Sequence, residues 1–600
     1  MRKDYFVKNL LAAMMLLAVS MGMVSCQGLV DAIVGTSDNP STQPSQPSTQ
    51  PTEIVVTPTA QGAKVEASSP EAVSEALASL VDDIKAKGVG DGKEYKVEVS
   101  TKDISTSTSD CTIEVPKVAG SNINIVFDNG VSTGSTPLVV KAAETASSTP
   151  TEAVNELTIT VPDAQALNLS VDMPETTVTL KSSGSSTVFK SIVAKTAVNT
   201  LIIESGITVE ELEIQGGSVV VKTGAAVNML VCATDENMIG ITEYGVTSRV
   251  SQDMQTVEPY AVDENGDPYY FKNLKVIKGT APYASLHHLG TRPETYSLKT
   301  LIICDGAAVN NMNYNWEEIE TIKGEGNAKY LYGSWWITED GSEKTYFGGS
   351  IDFGNIKSMS GVTVSALWAD KLDKSELMIS GLPASMTDCT FKSTKIHAGR
   401  QKGANAISAK NCKFESYADK EAYLSVYSIE PNDGVSSFKA TFDNCEFVEN
   451  TLFEFYQSYM SEVTVYVWSQ IIDGAVYPGG SSTSLDDVPE YNKNVGETKD
   501  RYDDSKNPDS DHPNLSMGYW KETQQWGVLP IEKFDYTVVF NNCKYGGSAL
   551  TSTTPVEAYI NPTEVLGLNY FVEIDGTKYT PSTKWDEANG KSYWNLTKVE

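Results

Sequence analysis

The chain has 600 residues, more than one compact core normally covers, so several domains or one elongated repeat array are expected. Its 46 basic and 78 acidic residues leave a formal charge of −32, which argues against nucleic acid or anionic lipid headgroups as ligands, because both require a positive surface. Only Arg2, Arg249, Arg292, Arg400 and Arg501 could supply bidentate clamps for phosphate or carboxylate.

The first segment reads as an export signal. Arg2, Lys3 and Lys8 form a charged n-region, and Leu10 to Val19 is an apolar run well short of the about 20 residues that span a bilayer. It leads into Met23-Val24-Ser25-Cys26, which resembles the lipobox of Gram-negative lipoproteins, with Met23 standing where leucine is usual. The resemblance implies that residues 1–25 are a signal peptide and that Cys26 is acylated. Several acyl chains hold a protein stably where one gives only marginal binding. The expectation is a chain anchored to the outer membrane through lipid, on the cell-surface or the periplasmic face. Gln27 and Gly28 carry no acidic export signal to decide between them.

From Gly35 to about Gln61 the composition falls to Ser, Thr, Pro, Gln and Asn. No core can be built from this, so residues 26–65 are expected to be a disordered tether, reaching about 30 Å as a flexible coil. One helix is expected over 69–88, with Ser69 at the N-cap, Pro70 at N1 and Gly88 at the end. Val73, Leu77, Leu80, Val81 and Ile84 share one face. Ahead of a long β region, such a helix suits a cap over unpaired strand edges.

Beyond Gly88 the pattern is short β segments, such as Glu156 to Val161 and Thr177 to Leu180, punctuated by Gly, Ser, Asn and Asp. Three stretches nearly superpose: Leu201 to Val209, Val219 to Val227 and Leu301 to Val309. Each carries aliphatic residues, a turn, a glycine and a final valine, and the first two start 18 residues apart, near one coil of a solenoid. A second repeat reads Asp388-Cys389-Thr390-Phe391, Asn411-Cys412-Lys413-Phe414, Asn444-Cys445-Glu446-Phe447 and Asn542-Cys543-Lys544-Tyr545. Cysteine and aromatic at i and i+2 point to one face of a strand, with Asn or Asp at a corner where left-handed geometry is tolerated. Buried as small hydrophobes, four of the seven cysteines that follow Cys26 need no disulfide.

These [ND]-C-x-[FY] coils resemble the right-handed parallel β-helix, or pectin-lyase-like, superfamily, over roughly residues 66–600. The resemblance implies an all-β solenoid with an N-terminal capping helix. Residues 66–380 would form its N-terminal part and 381–600 its C-terminal coils. Asp575-Gly576 and Asn589-Gly590 read as hairpin turns that cap the last coil. A large polar loop is expected near 484–514, inside the excursion between Cys445 and Cys543.

Enzymes of that superfamily cleave acidic polysaccharides with clustered carboxylates, and lyase members also hold calcium and an Arg or Lys base. The adjacent acidic pairs here are Asp82-Asp83, Asp486-Asp487 and Asp503-Asp504, none of them on a recognisable strand face, and Arg292-Pro293 is only a fragment of a lyase motif. Asp500, Asp503, Asp504, Asp509 and Asp511 offer oxygen ligands for calcium but lack EF-hand spacing and its glycine. His287-His288, His397 and His512 are scattered. All nine tryptophans follow residue 315, and Tyr519, Trp520 and Trp526 border the polar loop, where aromatic faces could stack on sugars or a protein partner. Three readings stay open. The first is a non-catalytic envelope lipoprotein binding glycan or protein ligands, for adhesion or capture. The second is a polysaccharide lyase or glycoside hydrolase. The third is a purely structural envelope protein. The residues favour the first and imply no cofactor beyond the calcium candidates.

Overall fold

The computed structural model describes the chain from Val55 to Glu600 with interruptions, the longest at 144–155, 288–297, 426–436 and 487–519. The protein is mostly β, built from long stacks of parallel strands. One sheet, called here the long sheet, runs from strand Thr112–Val115 to strand Leu568–Ile574 and on into an antiparallel ribbon. From Glu156 to Val221 the chain alternates between it and an eight-stranded sheet. Strand Glu156–Val161 is followed by Ala166–Asp172, Thr177–Ser182 by Thr187–Ala194, and Thr200–Ile203 by Ile207–Ile214. Alternation of apolar and polar residues makes every second side chain an interior one. Leu157, Val178, Leu201 and Val219 stand in register across four turns, all buried.

The 18-residue repeat is a pairing. Leu201 lies beside Val219 and Val209 beside Val227, and the corner glycines Gly206 and Gly224 take φ of 80° and 86°. The Gly206 N–H donates to the Gly224 carbonyl at 3.0 Å. The third copy keeps the local shape, with Gly306 at φ 74°, but turns a different corner. Its first half lies in the long sheet and its second in a twelve-stranded sheet that replaces the eight-stranded one from Asn237 onward. A six-stranded sheet joins from Ser350, so each later turn visits three sheets, as in Ser385–Thr387, Thr390–Lys392 and Lys395–His397. The cross-section thus changes near 221–245, and the long sheet continues unbroken past residue 380.

The cysteine repeat occupies the corner between the long and twelve-stranded sheets. Asp388, Asn411, Asn444 and Asn542 all adopt φ between 50° and 55°. Their side chains hydrogen-bond along the stack: Asn411 Nδ2 donates to Asp388 Oδ1 at 2.9 Å, Asn444 Nδ2 to Asn411 Oδ1 at 2.8 Å and Asn542 Nδ2 to Asn444 Oδ1 at 3.2 Å. One residue on, Cys389, Cys412, Cys445 and Cys543 are buried, each thiol within reach of the backbone carbonyl two residues before it, Thr387, Lys410, Asp443 and Asn541 at 3.3–3.5 Å. Two residues further, Phe391, Phe414, Phe447 and Tyr545 are in register. The Phe391–Phe414 and Phe414–Phe447 rings stack at 5.6 and 5.1 Å between centroids. All seven described cysteines are free thiols.

Other elements lie at both ends of the long sheet. Strand Val55–Thr59 begins inside the stretch read as tether and pairs antiparallel with Gly62–Glu66. The helix expected over 69–88 is two, α1 (Pro70–Ser79) and α2 (Val81–Gly88). The break comes at Leu80, whose φ of −93° and ψ of 0° leave the helical region, just after the Ser79 hydroxyl has donated to the Ala76 carbonyl at 2.8 Å. Ser69 caps α1 as expected, accepting from the Ala72 N–H at 3.2 Å. The free edge of strand Thr112–Val115 meets α1, where Ser74 Oγ accepts from the Glu114 N–H at 2.9 Å. At the far end Asp575-Gly576 and the Asn589-Gly590 turn form the two hairpins expected. Trp594, on the last strand, is buried against Phe453 and Phe540 and donates its indole N–H to the Thr554 carbonyl at 2.6 Å. No helix among the described residues is long and apolar enough to cross a membrane.

Candidate functional site

Between strands Thr451–Phe455 and Phe534–Asn541 the chain leaves the coil path at the corner joining the six-stranded and long sheets. The excursion is more than a loop. Glu462-Val-Thr-Val-Tyr-Val-Trp468 alternates with period two, and strand Ser461–Ile472 forms the centre of a three-stranded antiparallel sheet, between Ala475–Ser482 and Trp520–Gly527. The register sets Trp468 opposite Trp520, Tyr466 opposite Glu522 and Glu462 opposite Trp526. Trp520 and Trp526 stand at even spacing on one strand, about 20 Å apart along it.

Two of the expected binding residues, Trp520 and Trp526, therefore share one strand, and the register sets opposite Trp520 a third tryptophan, Trp468, which the sequence does not single out. The signal for it was present in the alternation of valines at 463, 465 and 467 with larger residues, which announces a strand but not its partner. Tyr519 lies outside the described residues, as do the calcium candidates Asp503, Asp504, Asp509 and Asp511, and also Cys26. Most of the polar stretch 484–514 lies there too, so the expectation of a loop falls on residues the structure does not describe.

Several titratable groups elsewhere are tied into the fold. Asp83, in the first turn of α2, accepts from the Tyr95 hydroxyl at 2.6 Å, and burial with this bond pushes Tyr95 well above the ordinary phenol range. Asp163 is held below its usual value by the Ser186 and Ser185 N–H groups, which it brackets at 2.9 and 3.0 Å. His397 is buried on its strand. Burial pushes the Cys232 thiol up to about 12. Cys304, half-buried, is pushed up to about 11 by desolvation and by a hydrogen bond with Glu325. Thiols held this high are protonated at neutral pH and poor nucleophiles. Among the described residues no group of three or more His, Cys, Asp or Glu is placed to hold a metal ion.

Comparison of the chain with models of protein families, with curated proteins and with solved structures finds no match in any of the three.

Proposed function

We propose that this chain is a cell-envelope lipoprotein, acylated at Cys26, whose right-handed parallel β-helical ectodomain binds glycan or protein ligands without catalysis. The β-helical reading is supported by the in-register Asn, Cys and Phe ladders and by turns that revisit the same sheets. The binding reading rests on one observation above the rest: Trp468 stands opposite Trp520 in a sheet set apart from the coils. Its tryptophans are the side-chain type that most often dominates binding surfaces. The acidic chain, at −32, fits an outer-membrane protein that holds its ligand by stacking and hydrogen bonds rather than by cationic clamps.

Two experiments test this. Cys26→Ala should move the protein from the membrane pellet to the soluble fraction; its recovery with membranes would contradict acylation. A glycan array probed with the soluble ectodomain should show retention without release of cleaved product. Trp520→Ala and Trp526→Ala should each weaken retention by roughly 30-fold, the loss of about 2 kcal/mol expected for a binding hot spot. Product release would favour the lyase or hydrolase reading, and neither retention nor release would favour a structural role.

A further inference from the structure

A second aromatic surface lies far from the tryptophan sheet in sequence. Between strands Leu230–Ala233 and Asn273–Lys278 of the long sheet the chain inserts a small antiparallel unit, with Asn237–Thr242 paired to Gly245–Ser251 and that strand to Val257–Pro259. Tyr244 sits at its tip, 55% exposed, and Tyr270 beside it, 40% exposed. Their rings meet edge to face at 5.3 Å and 64°. Neighbouring aromatics of the same segment go the other way: Phe271 is fully buried, and Tyr269 packs on the core with its hydroxyl accepting from the Val227 N–H.

The pair is held in place by backbone. The Tyr244 N–H donates to Thr242 Oγ1 at 3.2 Å, and that hydroxyl donates in turn to the Gly245 carbonyl at 3.3 Å. Gly245, at φ 136°, lies so close to the Phe271 carbonyl that a Cβ would come within 2.4 Å of it, so the turn is locked against the segment that carries Tyr270. The Lys272 ammonium donates to the Tyr244 carbonyl. Two rings fixed this way need little ordering on binding.

We infer that Tyr244 and Tyr270 form a second ligand site, for a pyranose unit of a neutral polysaccharide. Two rings are too small a platform for a protein partner, which needs about 800 Å² per side. They match the apolar C–H face of one sugar, with the two phenol hydroxyls at the rim for its hydroxyl groups. A chain of charge −32 repels uronate or sulfated polymers, which leaves neutral ones. The inference rests on reading the chain as a ligand-presenting surface, but not on the tryptophan sheet.

The test is affinity electrophoresis of the mature chain through gels containing mannan, xyloglucan or β-glucan, with polygalacturonate for comparison. At least one neutral polymer should retard the protein. Tyr244→Ala and Tyr270→Ala should each lower that affinity roughly tenfold, while Tyr244→Phe should keep most of it. Circular dichroism should show the variants folded, as expected for exposed positions. Unchanged retardation in both alanine variants, or retardation by polygalacturonate alone, overturns the inference. Loss in Trp520→Ala but in neither tyrosine variant refutes this site and leaves the tryptophan site standing. Loss in the tyrosine variants alone does the reverse.

Discussion

Asn444 donates its side-chain N–H to the side-chain carbonyl of Asn411 at 2.8 Å, across two successive turns of the chain, with both residues at left-handed φ of 52° and 55°. The same residue type thus solves two problems. It tolerates a corner conformation that costs most L-residues about 1–2 kcal/mol, and it passes a hydrogen bond to the next turn. Asn444→Ala should destabilise the protein by about 1.5–3 kcal/mol in urea unfolding, and Asn444→Gly by less, because glycine recovers the conformational part. Equal losses in the two variants would mean that the corner is not strained for alanine.

Phe414 is stacked between Phe391 and Phe447 and meets Phe442 edge to face at 5.5 Å, with 2% of its surface exposed. Phe414→Ala should cost about 3–5 kcal/mol as a buried large-to-small change, and Phe414→Leu distinctly less. The two midpoints in denaturant, at unchanged slope, give the comparison. A neutral alanine variant would place the ring outside the core.

Ser74 on α1 accepts the Glu114 N–H and shares its own proton between the Pro70 and Thr112 carbonyls, at 3.0 and 3.3 Å. A helix side chain here stands in for the missing neighbour of the first strand of the long sheet. Ser74→Ala should leave that N–H unpaired, at about 1–3 kcal/mol. Hydrogen exchange at Glu114 should accelerate more than at Ile113 or Val115, and a uniform change along the strand would argue for a general loss of packing instead.

The fold favours the neutral Cys304 thiol, raising its pKa to about 11. That contribution to stability is present below the ordinary thiol pKa and is lost as pH rises through about 11. Alkylation of Cys304 by iodoacetamide in the native protein should therefore be slow at pH 8 and climb about tenfold per pH unit toward 11. Glu325→Gln should move the climb to lower pH by removing the carboxylate whose charge raises the thiol. A plateau near pH 8.5 in the unmodified chain would contradict the assignment.

Much of the architecture was legible because its physics is local and repeated. The spacing of Cys389 to Phe391 and its three copies places side chains on one strand face, and the preceding Asn or Asp marks a corner; both follow from backbone geometry. The N-cap at Ser69 and the hairpin turn at Asp575-Gly576 were legible for the same reason. What depends on partners distant in sequence was not. The third glycine repeat, Leu301 to Val309, has the same residue pattern as the first two yet joins a different pair of sheets, which only its partners distant in sequence determine. The Trp468–Trp520 pairing bridges some fifty residues, and the Tyr244–Tyr270 contact depends on how one insertion folds back. The helix break at Leu80 escaped notice because its apolar pattern continues across it.

Side chains from successive turns pile up in register inside one buried interior. Anomalous sulfur scattering from crystals of the ectodomain tests this directly. The sulfurs of Cys389, Cys412, Cys445 and Cys543 should appear as a single row of four peaks, stepping by about 4.8 Å, the spacing of neighbouring strands. Four peaks scattered through the molecule, or sulfurs at the solvent boundary, would contradict it.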